Sequence, residues 1–507
     1  MMRLSRRALI ASGAALPFLR NPARAATTPG KLVFGLSSYP PSLAPWANAG
    51  TAAATAKLMV HRGLLGYGAD GVLRGELAET WEHADDGAWV FHLRDAVFHN
   101  GAKVTSADVA WTIEQIVGEK STAFYRAQMQ TIAKVETPDA KTVRLFTNEP
   151  NATLPLWLAT FYVPILAKDS TKDSPLGIGA GPFVLISEER GVALELTAFD
   201  KFYRPGLPKV KSLRMVAYAD ENLRVAALQA GDVDLIEYVP WQSMTSIAAD
   251  PKLELQNTDG PFMYLTFNAK AKPFGDARVR RAIAHAIKRE DIIKAAFFGR
   301  GSPIEGFPLP AGTPFYDPSV AKALGYDPAK AKALLAEAGL ADGFACKLLA
   351  TAQYGMHKDT ATVVQQHLAD IGIQVELVLP DWATRTALGN RGQYEFAVMG
   401  SASDSNDPDG LTQFLAGDLS PSYARSYGLD VPKIDQLLTA GRAEFDPTKR
   451  RALYNTLQQV CMQEVPMVGL CFRAQGYAMS RQVKGFHNMP GALTFYSGTT
   501  FETVTTG

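Results

Sequence analysis

The stretch from Thr360 to Leu379 most constrains what this chain can fold into. A helical pattern running from about Thr360 to Ile371 stops at Gly372, and Ile373, Val375, Leu377 and Leu379 then recur at every second position. A period of 3.6 followed at once by a period of two places a helix against a half-buried strand. The same grammar appears elsewhere. Asp327-Pro328 opens a helix with Ala331, Leu334, Leu335 and Ala338 as its stripe and Gly339 as its stop. Thr105-Ser106-Ala107-Asp108 resembles a capping box, ahead of Val109, Ile113, Ile116 and Val117 on one face. Asp446-Pro447 starts another helix, with Leu453, Leu457, Val460 and Cys461 inward, and Val465 to Phe472 reads as the strand after it. These stripes face cores, and a sheet covered by helices follows, in the α/β class.

At 507 residues the chain is too long for one ordinary core, so two or three domains are expected. It has no internal repeat, low-complexity run or flexible linker. Lys31–Leu36 reads as a short strand and Ser37 to Pro45 as a turn region, and a domain entered through one strand is often completed later in the chain.

The first 25 residues read as a signal peptide. Arginines precede the apolar run Ala8 to Leu19, Gly13 and Pro17 interrupt it, and Ala23-Arg24-Ala25 sets cleavage between Ala25 and Ala26. The run is too short for a membrane span. Ser5-Arg6-Arg7-Ala8-Leu9-Ile10 resembles the twin-arginine export pattern, with Arg6 and Arg7 as the pair, and that route is favoured over the general one. No cysteine follows the run, so a soluble, unanchored periplasmic protein is expected. Loss of Arg3, Arg6, Arg7, Arg20 and Arg24 takes the formal charge from +1 to −4, which argues against a nucleic-acid partner. Cys346, Cys461 and Cys471 show no zinc spacing. Cys461 and Cys471 could pair in an oxidising compartment, although two buried small residues is the preferred reading.

A search for catalytic chemistry is nearly empty. HExxH, GxSxG and GxxxxGK[ST] are missing, and the eight histidines are scattered, with His92 and His99 better read as structural than as ligands. Gly177-Ile178-Gly179-Ala180-Gly181 is followed by Pro182 where a helix should begin, so it reads as a turn into the strand from Phe183 to Ile186. The segment that stands out is Gly400 to Gly410, which carries Asp404, Asp407 and Asp409 after the apolar strand Phe396 to Met399. It could cradle a cation or be a solvated acidic turn, and its spacing fits no EF-hand.

Ordered motifs then accumulate. Arg62-Gly63-Leu64-Leu65, Leu77-Ala78-Glu79-Thr80-Trp81-Glu82, Phe91-His92-Leu93-Arg94-Asp95, Phe98-His99-Asn100-Gly101 and Thr105-Ser106-Ala107-Asp108-Val109 follow one another. Ala180-Gly181-Pro182-Phe183, Ala227 to Asp234, Phe267-Asn268, Pro273-Phe274, Val279 to Ile283, Tyr326-Asp327-Pro328 and Arg451 to Tyr454 continue the series. In these the chain resembles the extracytoplasmic solute-binding proteins of the dipeptide, oligopeptide and nickel type, with Asn100 where the family has Asp. The resemblance implies a type II periplasmic-binding-protein fold, two lobes around a cleft plus an inserted domain. Lobe I would comprise 26–45, 179–265 and 479–507, the insertion 46–178, and lobe II 266–478, with a hinge strand between Gly260 and Phe267.

The resemblance also implies a function: capture of a peptide or peptide-like solute by a monomer, hinge closure, and delivery to an ABC permease with its ATPase, without cofactor or catalysis. Asp404 matches the aspartate that holds a ligand ammonium, with Asp407-Pro408 as the structural remainder and Asp409 as a solvated loop acid. Ser401 stands where the family often has Trp. Trp382 matches a pocket tryptophan, Lys358 could replace an arginine that takes the ligand carboxylate, and Arg385 is a second candidate anion partner. Tyr39 and Tyr264 complete the expected ligand-facing set. A nickel or metal-chelate binder of the same family and an exported hydrolase are the alternatives, though residues 400–410 hold no histidine and no nucleophile with its base is found.

Overall fold

The computed structural model describes residues 29–172 and 174–507. Arg6, Arg7 and the Ala25/Ala26 cleavage site lie outside the described residues. Helix starts follow their caps. The Thr105 amide and hydroxyl both donate to the Asp108 carboxylate, at 2.9 and 2.7 Å, ahead of the helix Ser106–Val117. Asp327 accepts the Lys330 amide at the start of Pro328–Glu337, and Asp446 accepts those of Thr448 and Lys449 at the start of Pro447–Glu464. The helix expected from Thr360 instead begins five residues earlier and spans Gly355–Ala369. Tyr354 at its N-cap supplies no side-chain acceptor, so nothing local marks the start.

One 11-stranded sheet runs through the molecule. From one edge its order is Ile373–Val378, Phe344–Leu349, Phe396–Ser401, Leu253–Phe267, Val468–Ser480, Leu235–Ile236, Lys31–Leu36, Ser212–Ala217, Ala193–Ala198 and Phe183–Glu189, with Gly301–Pro303 paired beside Val468–Ser480. The two long central strands belong to both halves. Leu253–Asp259 pairs with Ala474–Ser480, the register then breaks, and Phe262 resumes opposite Phe472. The break falls at Gly260-Pro261, inside the segment expected to hinge. A Cβ at Gly260 would stand 2.0 Å from the Gly491 carbonyl oxygen, so only glycine fits there. The strand expected over Val465 to Phe472 starts at Val468 and runs on to Ser480 because it carries the chain back into lobe I.

The three largest hydrophobic cores among the described residues fall in the segments expected as lobe II, the insertion and lobe I. Lobe II buries Phe262, Phe267, Ile283, Leu348, Phe396, Leu457 and Leu470, and lobe I buries Leu32, Phe34, Leu213, Met215, Leu235 and Phe501. The inserted domain pairs Ala78–His83, Trp89–Leu93, Thr142–Thr147 and Ile132–Asp139 in an antiparallel sheet under Ser106–Val117. Trp46 packs against its core, whose fully buried residues start at Leu64, while Ala52, Ala56, Met59 and Val60 of the intervening helix Thr51–Val60 pack with the lobe I core. Arg62, Arg74 and Arg204 share Glu76 and Glu502 in a network that fastens the insertion to lobe I. Burial alone would raise the Glu76 carboxyl, and the three arginines bring it down to about 2. Cys461 and Cys471 are free thiols buried in lobe II.

Candidate ligand-binding cleft

Phe344–Leu349 runs parallel to both Ile373–Val378 and Phe396–Ser401, so their carboxyl ends share one edge. In open α/β sheets that edge is where ligands bind. Here it leads into three features: the N-terminus of Gly355–Ala369, the helix Trp382–Asn390, and the loop that carries Asp404.

The three loop aspartates diverge rather than form a cradle. Asp407 accepts the Asp409 amide and is bound by both Nη atoms of Arg450, at 2.7 and 2.8 Å. Asp409 is buried, not solvated as expected. It accepts Arg442 Nε at 3.0 Å and Nη2 at 2.8 Å, and the hydroxyl of Thr153 from the inserted domain at 3.0 Å. Asp404 alone among the three makes no ion pair with any described residue, and burial pushes its carboxyl up to about 6 against a hydrogen bond from Tyr125.

Asp404 opens on a cavity of about 420 Å³ where both lobes and the insertion meet. Three of the five Phe-Tyr doublets in the chain converge there: Phe124-Tyr125, Phe161-Tyr162 and Phe495-Tyr496. Their rings pack at a tilt, with centroids 4.5 Å apart for Phe124 and Tyr162 and 4.8 Å for Phe161 and Tyr496. Burial, and after it the Asp404 charge, raises the Tyr125, Tyr162 and Tyr496 phenols and holds them protonated. A carboxylate under aromatic faces attracts an organic cation by charge and by ring quadrupole. Asn48, Thr51, Ser401, Ser403, Gln413 and Ser422 add neutral polar groups around it. The room beside Ser401 is consistent with a serine in place of the family's tryptophan.

The other expected residues lie at different depths. Trp382 is half-buried at the rim, its ring edge-on to Tyr423, which lines the cavity, at 5.8 Å. Tyr264 is fully buried beneath it and donates its hydroxyl to the Ala424 carbonyl at 2.8 Å. Arg385 is also fully buried, donates to the Val398 carbonyl at 2.8 Å, and lies over the Trp382 and Tyr423 rings, so it braces the wall and cannot reach a ligand in this structure. Lys358 is exposed on the outer face of its helix, and its neighbour His357 is the residue that turns inward. Tyr39 donates to Glu188 on the far side of lobe I, and burial with that carboxylate pushes its phenol up to about 12. The aromatic doublets were missed because each is unremarkable alone and Phe495-Tyr496 lies more than 300 residues beyond the other two.

A larger cavity of about 870 Å³ lies on the other side of the Asp404 loop, between Gly71–Leu73 and the Pro-rich run Ser302 to Tyr316. Of its four acids, Asp407 is already paired with Arg450, Asp259 takes the Ser302 hydroxyl at 2.5 Å, Asp70 accepts the Val72 amide at 3.0 Å, and Glu305, on the Pro-rich run away from the strand ends, makes no ion pair with a described residue. The smaller cavity, with its unpaired carboxylate at the strand ends, is the stronger site.

Comparison with known proteins agrees with this fold. AgaA of A. tumefaciens R10, solved with agropinic acid, is 41% identical with a TM-score of 0.83, over 94% of this chain and 99% of that one. MoaA of the same strain, solved with mannopinic acid, is 25% identical with a TM-score of 0.75, over 94% and 99% of the two chains. The glutathione-binding protein GsiB of Escherichia coli K12 is 27% identical over 458 residues, 85% of this chain and 86% of that one. Residues 72–420 match the middle region of the bacterial extracellular solute-binding proteins of family 5, and the chain belongs to that family.

Proposed function

We propose that this protein is the periplasmic receptor of an ABC importer for a small amino-acid-derived solute with a protonated amine, of dipeptide or opine size. The observation that carries this reading is the unpaired Asp404 carboxylate, pushed up to about 6 by burial and facing an aromatic-walled cavity between the lobes. A cavity of about 420 Å³ is at the small end of the range for small-molecule sites and suits one compact solute rather than a long peptide. Related proteins are described with amino-acid derivatives: mannopinic acid, glutathione and the peptides Met-Leu and STSA carry an ionisable amine, whereas agropinic acid, a lactam, does not. Export through Arg6-Arg7, cleavage after Ala25, action as a monomer with a permease and ATPase, and release of the solute unchanged complete the proposal.

The test is native mass spectrometry of the exported protein, followed by calorimetry with glutathione, Met-Leu, agropinic acid and mannopinic acid. A one-to-one complex with a solute of this class, recovered intact, is expected. Hydrolysis of the peptides, or no complex with any amino-acid derivative, would reject the reading.

A further inference from the structure

Several fully buried arginines in this protein donate to two or more backbone carbonyls, even where one nitrogen, such as Arg289 Nη2 or Arg385 Nε, is left without a partner. Arg224 donates to the oxygens of Tyr218, Glu237 and Tyr238, and Arg289 to those of Ala284, Ile287, Ile304 and Gly469. Arg425 does the same with Gln413, Leu419 and Ser420. Arg473 departs from this pattern. It is 7% exposed, its Nε has no hydrogen-bond partner, and Nη1 meets only the Met356 sulfur at 3.4 Å. Among the described residues it makes no ion pair. A guanidinium removed from water without an acceptor is costly, and a protein retains one where an anion arrives to complete it.

Its position fits a ligand. Arg473 follows Phe472, which stands opposite Phe262 at the register break between the lobes. From lobe II, Met356 brings the first turn of Gly355–Ala369 against the guanidinium. That turn has no side-chain cap and no acidic residue; the His357 and Lys358 amides donate to the Tyr354 carbonyl, which leaves the Gly355 and Met356 amides and the positive end of the helix dipole for an anion. His357, in the same turn, is 2% exposed with an unpartnered Nδ1. From lobe I, Tyr238 lies close enough to act on the Arg473 charge. The Tyr238 hydroxyl is 3.5 Å from the Thr51 hydroxyl and its ring stacks on Phe495 at 6.1 Å, and both partners line the Asp404 cavity.

We propose that Arg473 and the first turn of helix Gly355–Ala369 form an anion subsite at the hinge end of the cleft that receives a carboxylate of the solute. This rests on the reading of the Asp404 cavity as the solute site, and it gives the cleft a negative group at one end and a positive one at the other. The guanidinium fork matches a carboxylate through two parallel hydrogen bonds, and the helix amides supply more. The subsite assigns to Arg473 the role expected of Lys358 or Arg385. Because Arg473 sits between Met356 of one lobe and Tyr238 of the other, an anion bound there also favours the closed form.

The test uses the full mature protein and two probes. In crystals soaked with selenate, an anomalous peak within hydrogen-bonding reach of the Arg473 guanidinium is expected in the wild type and none at that place in Arg473→Met. A wild-type crystal without that peak overturns the proposal. Calorimetry with glutathione should show Arg473→Met weakened by about 30-fold or more, Arg473→Lys intermediate, and Lys358→Ala unchanged. Arg473→Met without ligand should melt at or above the wild-type temperature, since it removes a buried unpaired charge. Equal affinity in Arg473→Met, a loss in Lys358→Ala instead, or a melting temperature lowered by several degrees in Arg473→Met would make Arg473 structural and overturn the subsite. If the wild type binds selenate at Arg473 but no amino-acid derivative, the solute class fails and the subsite stands.

Discussion

Asn406 accepts the Ala492 amide at 2.9 Å, and its side-chain nitrogen donates to the neighbouring Pro490 carbonyl at 3.1 Å. One side chain of lobe II thus grips the C-terminal segment of lobe I beside the register break. Gly491 sits against it so closely that a Cβ there would be 2.3 Å from Asn406 Oδ1.

Asn406→Ala removes both bonds while leaving the ligand-facing residues in place. At about 1 kcal/mol for each net hydrogen bond, solute affinity should fall by roughly tenfold to thirtyfold. Small-angle scattering of the unliganded variant should give a larger radius of gyration than wild type. An unchanged radius and affinity would show that this contact does not hold the lobes together.

The pH dependence follows from Asp404. Its carboxyl is raised to about 6 in the ligand-free fold, against an ordinary value of about 4, so the folded state binds the proton more tightly than the unfolded one. Its contribution to stability is present at low pH and lost as pH rises through about 6. Asp404→Asn should therefore melt higher than wild type above about pH 6, with the difference shrinking towards pH 4. Binding runs the other way. The amine requires the ionised carboxylate, so affinity should be flat near pH 7 to 8 and fall about tenfold per unit below about pH 6. Calorimetry from pH 5 to 8 checks this, and a flat profile to pH 5 would contradict it.

Asp409→Ala leaves Arg442 without its carboxylate and Thr153 without its acceptor at the joint between lobe II and the insertion. Because Arg442 keeps partial contact with water, the cost should be about 2 to 4 kcal/mol. Urea denaturation should show this loss. A change below about 0.5 kcal/mol would mean that water replaces the ion pair without penalty.

Much of the architecture was legible because capping is local. Thr105 with Asp108, Asp327 with Lys330, and Asp446 with Thr448 are bonds between near neighbours in the chain, and each announces its helix. Asp404 stood out through its loop motif, and the fold sets it against a cavity. What was hidden depends on distant segments meeting. The wall around Asp404 draws on residues 124–125, 161–162 and 495–496, and Asp409 owes its burial to Thr153 and Arg442, so no short window could tell it from a solvated acid. Arg473 lies in a strand whose every residue is buried, and its missing partner is a property of the assembled cleft.

The cysteines give a simpler test. Cys346, Cys461 and Cys471 are buried free thiols, and burial pushes the Cys346 and Cys471 thiols up to about 12. Thiol titration should find almost none reactive in the native protein and all three after denaturation, with a melting temperature indifferent to reductant. One reactive thiol in place of three after denaturation would reveal a Cys461–Cys471 bond.

The most direct measurement is calorimetry of wild type, Asp404→Asn and Asp404→Ala at pH 7.5 with an amine-bearing solute that the wild type binds. Removing one member of a buried charge pair costs about 2 to 5 kcal/mol, so both variants should bind roughly 30-fold to several thousand-fold more weakly while staying folded. If Asp404→Asn binds that solute as tightly as wild type, no amine is held at this loop and Asp404 is not the anchor of the cleft.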